Sequence, residues 1–226
     1  MNSLAPITHR FLVIEGNIGA GKTTLCQMLE RDYQCRLILE QFTDNPFLPL
    51  FYEQPERYAF PVELFFMTER HKQLQSHLTP QQLFHTLTVS DYYFAKTLLF
   101  ARNTLDAEEF RLFQQLFNIL HAHQPKPDLL VYLYRPVDDL LHNIRNRGRE
   151  YEQQIKSDYL EKLQHTYLEF FRSNLSFPVL ILDIEQISFW EHEHQYRSIL
   201  EAIGQTYPPG LHRKCITKEG SVNVLM

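Results

Sequence analysis

Residues 16 to 23 read Gly-Asn-Ile-Gly-Ala-Gly-Lys-Thr, a G-x-x-x-x-G-K-T spacing, and Thr24 follows directly. These residue types at this spacing suit a polyphosphate. Glycines let successive backbone N–H groups converge, so Gly16, Asn17, Ile18, Gly19, Ala20 and Gly21 would cradle phosphate oxygens. The positive end of the helix that follows adds to their field. Lys22 would reach the β- and γ-phosphates, and the Thr23 hydroxyl would meet Mg²⁺. "FLVIE" before the loop is an apolar run of strand type, and "TTLCQMLERDY" after it sets Leu25, Met28, Leu29 and Tyr33 at helical spacing. Strand, glycine loop and helix is the setting this pattern requires, and it predicts a nucleoside triphosphate with Mg²⁺ as the ligand.

A phosphate loop identifies a donor, so the acceptor must be sought elsewhere. Glu40 ends the apolar run 36–40, and Asp91 follows the run 83–90. Ligands collect at the carboxyl ends of parallel strands. Arg145, Arg147 and Arg149 gather around Gly148, with Glu152 close behind. Taken singly, the acids are ordinary helix caps and the arginines a solvated helix face. Beside a phosphate loop they form a set.

The elements that must position this set alternate along the chain. Strands are expected at 11–15, 36–40, 83–90, 129–134 and 178–183. The clearest helix is 107–123, with Asp106 as N-cap, Glu108 and Glu109 in its first turn, and Phe110, Phe113, Leu116, Phe117 and Leu120 on one face. Pro125 and Pro127 end it. Alternating β and α units with strands apolar on both faces predict an α/β three-layer domain, a parallel sheet covered by helices. The 226 residues read as one domain, with a core of about 10–204 and a tail, 205–226, that has no clean period and no assignment.

Composition narrows the partners. A net charge of -5, from 22 Lys and Arg against 27 Asp and Glu, gives no basic field for nucleic acid or acidic membranes. Three cysteines without metal or redox spacing suggest reduced thiols, and no apolar run approaches a membrane span. The eleven histidines show no i, i+4 ligand pair in "HAH" or "HEH". A soluble cytoplasmic protein acting on a small molecule is the expectation.

Four motifs in order, "IEGNIGAGKTTL", "YEQPERYAF", "RGREYEQQI" and "YLEKL", resemble the deoxynucleoside kinase family, from the phosphate loop to near Arg172. The resemblance implies a five-stranded parallel sheet ordered 2-3-1-4-5, an arginine-rich lid and a homodimer built on helices. It implies transfer of the ATP γ-phosphate to the 5′-hydroxyl of a deoxynucleoside, in nucleotide salvage. Glu40 then matches the general base, and Arg147 and Arg149, with Arg145, spread donors over the phosphoryl group. Asp91 joins Thr23 at the metal. Tyr52 and Glu152 match the pair that grips the sugar 3′-hydroxyl, although Tyr52 reads equally as a core aromatic. Val62, Glu63 and Arg70 match the base-binding wall.

Three positions depart from the family pattern. Where an acid, Arg and Ser are usual, this chain has Asp91, Tyr92 and Tyr93, and Lys96 is the candidate to replace the missing cation. Glu63 stands in place of the base-reading Gln. Lys96 and Thr97 occupy the stretch where an acid usually accompanies the Arg70 equivalent. An ionised Glu63 offers acceptors only, which suits the adjacent N1–H and N2 amine of guanine, with Arg70 donating to O6 or N7. The alternative is an internal Glu63–Arg70 pair that reads nothing. A deoxyadenosine-preferring or broad kinase, a nucleoside monophosphate kinase and a silent nucleotide-binding module are the rival functions.

Overall fold

The computed structural model describes residues 4–40, 45–77, 87–122, 124–173 and 176–224. In chain order the elements are β1 (Phe11–Gly16), α1 (Lys22–Tyr33), β2 (Arg36–Ile38), α2 (Leu48–Glu53), α3 (Pro55–His77), β3 (Thr88–Ser90), α4 (Lys96–Thr104), α5 (Ala107–His121), β4 (Leu129–Tyr134), α6 (Val137–Arg147), α7 (Ser157–Arg172), β5 (Pro178–Asp183), α8 (Glu193–Ile203), β6 (Gly210–Ile216) and β7 (Val222–Val224). A short 3-10 turn covers Glu150–Glu152.

All the strands form one sheet in the order β2-β3-β1-β4-β5-β6-β7. The expected 2-3-1-4-5 arrangement is present and all parallel, but the sheet has seven strands rather than five. The unassigned tail supplies the other two: β6 runs parallel to β5, from Pro178↔Gly210 to Asp183↔Cys215, and β7 returns antiparallel. Three strand expectations agree with the structure to within a residue. β2 stops at Ile38, so that Leu39 and Glu40 leave the sheet. β3 is confined to Thr88–Ser90, and residues 83–86 of its expected span lie outside the described residues.

Side chains alternate across the strands, so β1 feeds two cores. Leu12 and Ile14 pack with Leu25 and Leu29 of α1, Ile144 of α6 and Ile199 of α8. Phe11 and Val13 face the opposite layer, with Phe113 and Phe117 of α5 and Tyr167 and Phe171 of α7. The α5 start is set locally: the Asp106 carboxylate accepts from the N–H groups of Glu108 and Glu109 at 2.9 and 2.8 Å. That helix ends at His121, ahead of the prolines. No helix among the described residues is long and apolar enough to cross a membrane.

Candidate active site

The glycine loop turns between β1 and α1 at the carboxyl end of the sheet. Gly19 and Gly21 have φ of 84° and 95°, the left-handed region that a side chain disfavours. A Cβ on Gly19 would also come within 2.7 Å of the Leu140 carbonyl of α6. The loop is pinned from outside: Asn17 Nδ2 donates to Leu160 O (2.9 Å), Asn143 Nδ2 to Gly19 O (2.9 Å), and Arg135 Nε to Ala20 O (3.3 Å). Lys22 Nζ folds back onto the carbonyls of Gly16 and Asn17, at 3.0 and 2.9 Å. Burial and the neighbouring Lys96 charge bring its pKa down to about 8.

Thr23 and Asp91 meet at the first turn of α1. Thr23 Oγ1 donates to Asp91 Oδ2 at 2.7 Å, while Asp91 Oδ1 accepts from the Glu40 N–H at 2.7 Å. Burial raises the Asp91 pKa. A hydroxyl and a carboxylate are hard oxygen donors, which fit Mg²⁺. No group of three or more His, Cys, Asp or Glu assembles among the described residues. Phosphate oxygens and water would therefore complete the coordination, the usual way Mg²⁺ is held with a nucleotide.

The acceptor cavity opens beside this corner, between α2, α3, α4, α7 and the 3-10 turn. Glu40, Tyr52, Val62, Glu63, Arg70 and Glu152 all line it. Glu40 Oε2 accepts from Lys96 Nζ at 2.7 Å, and Oε1 accepts from Arg70 Nε at 2.8 Å and from its Nη2. Burial alone would raise the Glu40 pKa, but the Arg70 and Lys96 charges hold it far below the usual carboxylate range. Lys96 is thus a second cation at Glu40 beside Arg70, while Tyr92 is fully buried with its hydroxyl donating to Gln73 Oε1 at 2.9 Å.

Arg70 lines the cavity and donates to Glu40 and, through Nη1, to Thr97 Oγ1 at 2.8 Å. Glu63 does not pair with it. Glu63 Oε1 accepts from Thr104 Oγ1 at 3.1 Å, and Oε2 is buried with no hydrogen-bond partner. Burial pushes the Glu63 pKa up to about 7, against the lowering effects of Arg70 and the Thr104 bond.

The lid arginines close on the same cavity. Arg147 Nη2 and Arg149 Nη1 both donate to Glu152, the latter at 3.0 Å. Arg147 also lines the neighbouring cavity over the glycine loop, so it spans donor and acceptor sides. Arg145 belongs to neither: it is exposed on α6 and lines no cavity with the others. Tyr52 lines the acceptor cavity and stacks on Tyr151, with centroids 5.9 Å apart.

Several residues at the site escaped the sequence reading. The donor cavity includes Thr24 but also Arg135, Asn143 and Trp190. Arg135 directly follows β4, the same kind of position that singled out Glu40 and Asp91. Its Nη2 donates to Ile187 O at 2.6 Å, and its guanidinium lies 5.5 Å from the Trp190 ring. Glu15, inside β1, accepts from the N–H groups of Gly16 (3.2 Å) and Tyr93 (2.7 Å) and from Tyr167 OH (3.0 Å). It ties the loop to two other elements. A carboxylate within an apolar run was the available signal.

A nucleotide loop, an acceptor cavity with a fixed carboxylate, and an arginine common to both sides define a P-loop phosphotransferase. The deoxynucleoside kinase family model matches residues 12–207. A deoxyguanosine kinase of Bacillus subtilis is 36% identical over 160 residues, covering 71% of this chain and 77% of that one. The deoxyadenosine/deoxycytidine kinase of the same organism is 28% identical over 203 residues, covering 86% and 92%. A solved deoxyadenosine kinase from M. mycoides, with dCMP and dCDP bound, shares the fold at a TM-score of 0.69 and 23% identity, covering 85% and 95%. The chain belongs to the deoxynucleoside kinase family and is an ATP-dependent kinase.

Proposed function

We propose that this kinase phosphorylates the 5′-hydroxyl of deoxynucleosides with deoxyguanosine favoured, and that Glu63 is the residue that reads the base. The single observation behind the preference is Glu63 Oε2, an unpartnered buried acceptor on the cavity wall. Guanine presents two adjacent donors to a carboxylate. Adenine would face it with an unprotonated N1, and an unmatched buried polar group costs about 1–3 kcal/mol, on the order of tenfold to a hundredfold in specificity. Val62, Phe66 and Phe100 line the same cavity and would flank the ring. Relatives of this chain bear deoxyguanosine, deoxyadenosine and deoxycytidine kinase names, so homology alone does not select the base.

In the proposed reaction the 5′-oxygen attacks the γ-phosphorus, the bond to the β-bridging oxygen breaks, and ADP leaves. Tyr52 and Glu152 hold the 3′-hydroxyl, so that the 5′-hydroxyl lies against Glu40. With its pKa held so low, Glu40 cannot deprotonate an alcohol in advance. It orients the hydroxyl and takes the proton only as the new P–O bond makes that proton acidic. Lys22, Arg147 and Arg149 spread positive charge over the moving phosphoryl group. Thr23 and Asp91 would hold Mg²⁺, which when bound offsets charge on the β- and γ-phosphates. The acids Glu40, Glu63 and Glu152 favour a neutral acceptor over a nucleoside monophosphate. A homodimer is part of this proposal, and Leu112 and Ile119, exposed on α5, are the apolar side chains it would cover.

The test is a set of specificity constants for the four deoxynucleosides on the parent and on Glu63→Gln. Deoxyguanosine should lead in the parent, and the ranking should move toward deoxyadenosine or deoxycytidine in the variant. An unaltered ranking, or deoxyguanosine as the poorest parent substrate, refutes the assignment.

A further inference from the structure

Glu63 is only 3% exposed, yet its contacts leave one oxygen open. The Thr104 hydroxyl lies 3.1 Å from both Oε1 and the Phe100 carbonyl and shares its one proton between them, and Oε2 has no partner. The charged and titratable groups around it come from every packed element. Arg70 is on its own helix, Glu40 follows β2, Lys96 is on α4, Tyr52 on α2 and Tyr159 on α7. Both cations are in direct contact with Glu40 instead. Glu63 therefore has no ion pair to fix it as a carboxylate, and a proton on Oε2 would displace no existing hydrogen bond.

We propose that Glu63 reads the base in two protonation states: as a carboxylate it takes guanine, and as a carboxylic acid it takes adenine or cytosine. This rests on the assignment of Glu63 as the base reader. In the ionised form both oxygens accept, one from guanine N1–H and the other from its amine. In the neutral form Oε2–H donates to adenine N1 or cytosine N3, while Oε1 accepts from the exocyclic amine. Oε1 can keep the Thr104 contact in both cases: that contact favours the carboxylate, but a proton on Oε2 does not break it. The neutral acid presents one donor and one acceptor, the same pattern as the glutamine it replaces. Burial brings Glu63 to about 7, so both forms are accessible near neutrality. Protons balance with solvent: deoxyguanosine binding to neutral Glu63 releases one, and deoxyadenosine binding to ionised Glu63 takes one up.

The ratio of kcat/KM for deoxyguanosine to that for deoxyadenosine isolates the effect, because titrations that act on phosphoryl transfer itself cancel. Between about pH 5.5 and about pH 8.5 the ratio should climb by up to about tenfold per pH unit. In Glu63→Gln it should be flat. Calorimetric binding of each nucleoside to the parent protein, in two buffers of different ionisation heat, should show proton release with deoxyguanosine and uptake with deoxyadenosine. That measurement needs no variant. A pH-independent ratio in the parent, or binding without proton exchange, overturns the two-state proposal even where Glu63→Gln changes the ranking. If Glu63→Gln leaves the ranking unchanged, the underlying assignment of Glu63 fails as well.

Discussion

Replacing Glu40 by Gln tests the centre of the acceptor site, because the structure links two separate losses to that side chain. Arg70 and Lys96, 4% and 5% exposed, both direct their charge at its carboxylate. In Glu40→Gln one amide oxygen can still accept from Arg70, but the amide nitrogen then faces the Lys96 ammonium, donor against donor. Removing one partner of a buried ion pair costs about 3–5 kcal/mol of stability. Separately, losing the proton acceptor should reduce turnover by about two to four decades. The two effects part in the double variant Glu40→Gln, Lys96→Met, which removes the stranded cation beside the Phe100 ring. Stability by denaturant titration should largely return, while single-turnover phosphorylation at saturating ATP and nucleoside stays low. The reasoning is refuted if the double variant regains turnover, or if Glu40→Gln changes only the Michaelis constant.

Lys22→Ala should fold normally, since Nζ contacts only loop carbonyls, and should lose roughly three decades or more of phosphoryl transfer; near-normal turnover in the folded variant rules the site out. Glu63 should also mark the stability curve. The folded state holds its proton from 4.5 up to about 7 while the unfolded chain has released it, so stability falls as pH rises through that window. Glu63→Gln escapes the loss, and should gain on the parent from nearly nothing at the acid end to about 3 kcal/mol above the window, seen by denaturation of the nucleoside-free protein. A difference between the two proteins that does not vary with pH contradicts the burial of an ionisable Glu63.

What could be read in the sequence was what neighbours along the chain decide. The glycine loop, the Asp106 cap and the strand-end positions of Glu40 and Asp91 each depend on a few adjacent residues. The tail depended on partners far away. Polar residues of β6 are satisfied only in the folded sheet, with Arg213 donating to Asp183 at 2.9 Å and Lys214 donating to Gln205, so no apolar alternation marked the strand. Arg145 lies off the two cavities for a helical reason. It and Arg147 lie two residues apart on α6, roughly opposite around a helix of about 3.6 residues per turn, so one faces the cavity and the other solvent. Gly148, with φ of 72°, then turns the chain so that Arg149 returns to the site.

Arg70 and Glu63 show why this wall of the cavity could not be read one position at a time. Where the family pattern has an arginine, Tyr92 is buried, and the second cation at Glu40, beside Arg70, comes from Lys96 a turn further on. In the stretch of Lys96 and Thr97, where the resemblance implies an acid beside the Arg70 equivalent, Thr97 offers only a hydroxyl, which accepts one N–H at 2.8 Å. Arg70 keeps its stronger bonds for the carboxylate that remains within reach, Glu40. Each replacement alters charge balance at a neighbour, and the last neighbour in the series is Glu63, a buried acid whose cations are committed elsewhere. An acid placed at position 97, where Oγ1 already meets Arg70 Nη1, would draw Arg70 off Glu40. The same two departures that change the support of Glu40 therefore also leave the Glu63 carboxyl group without an ion pair.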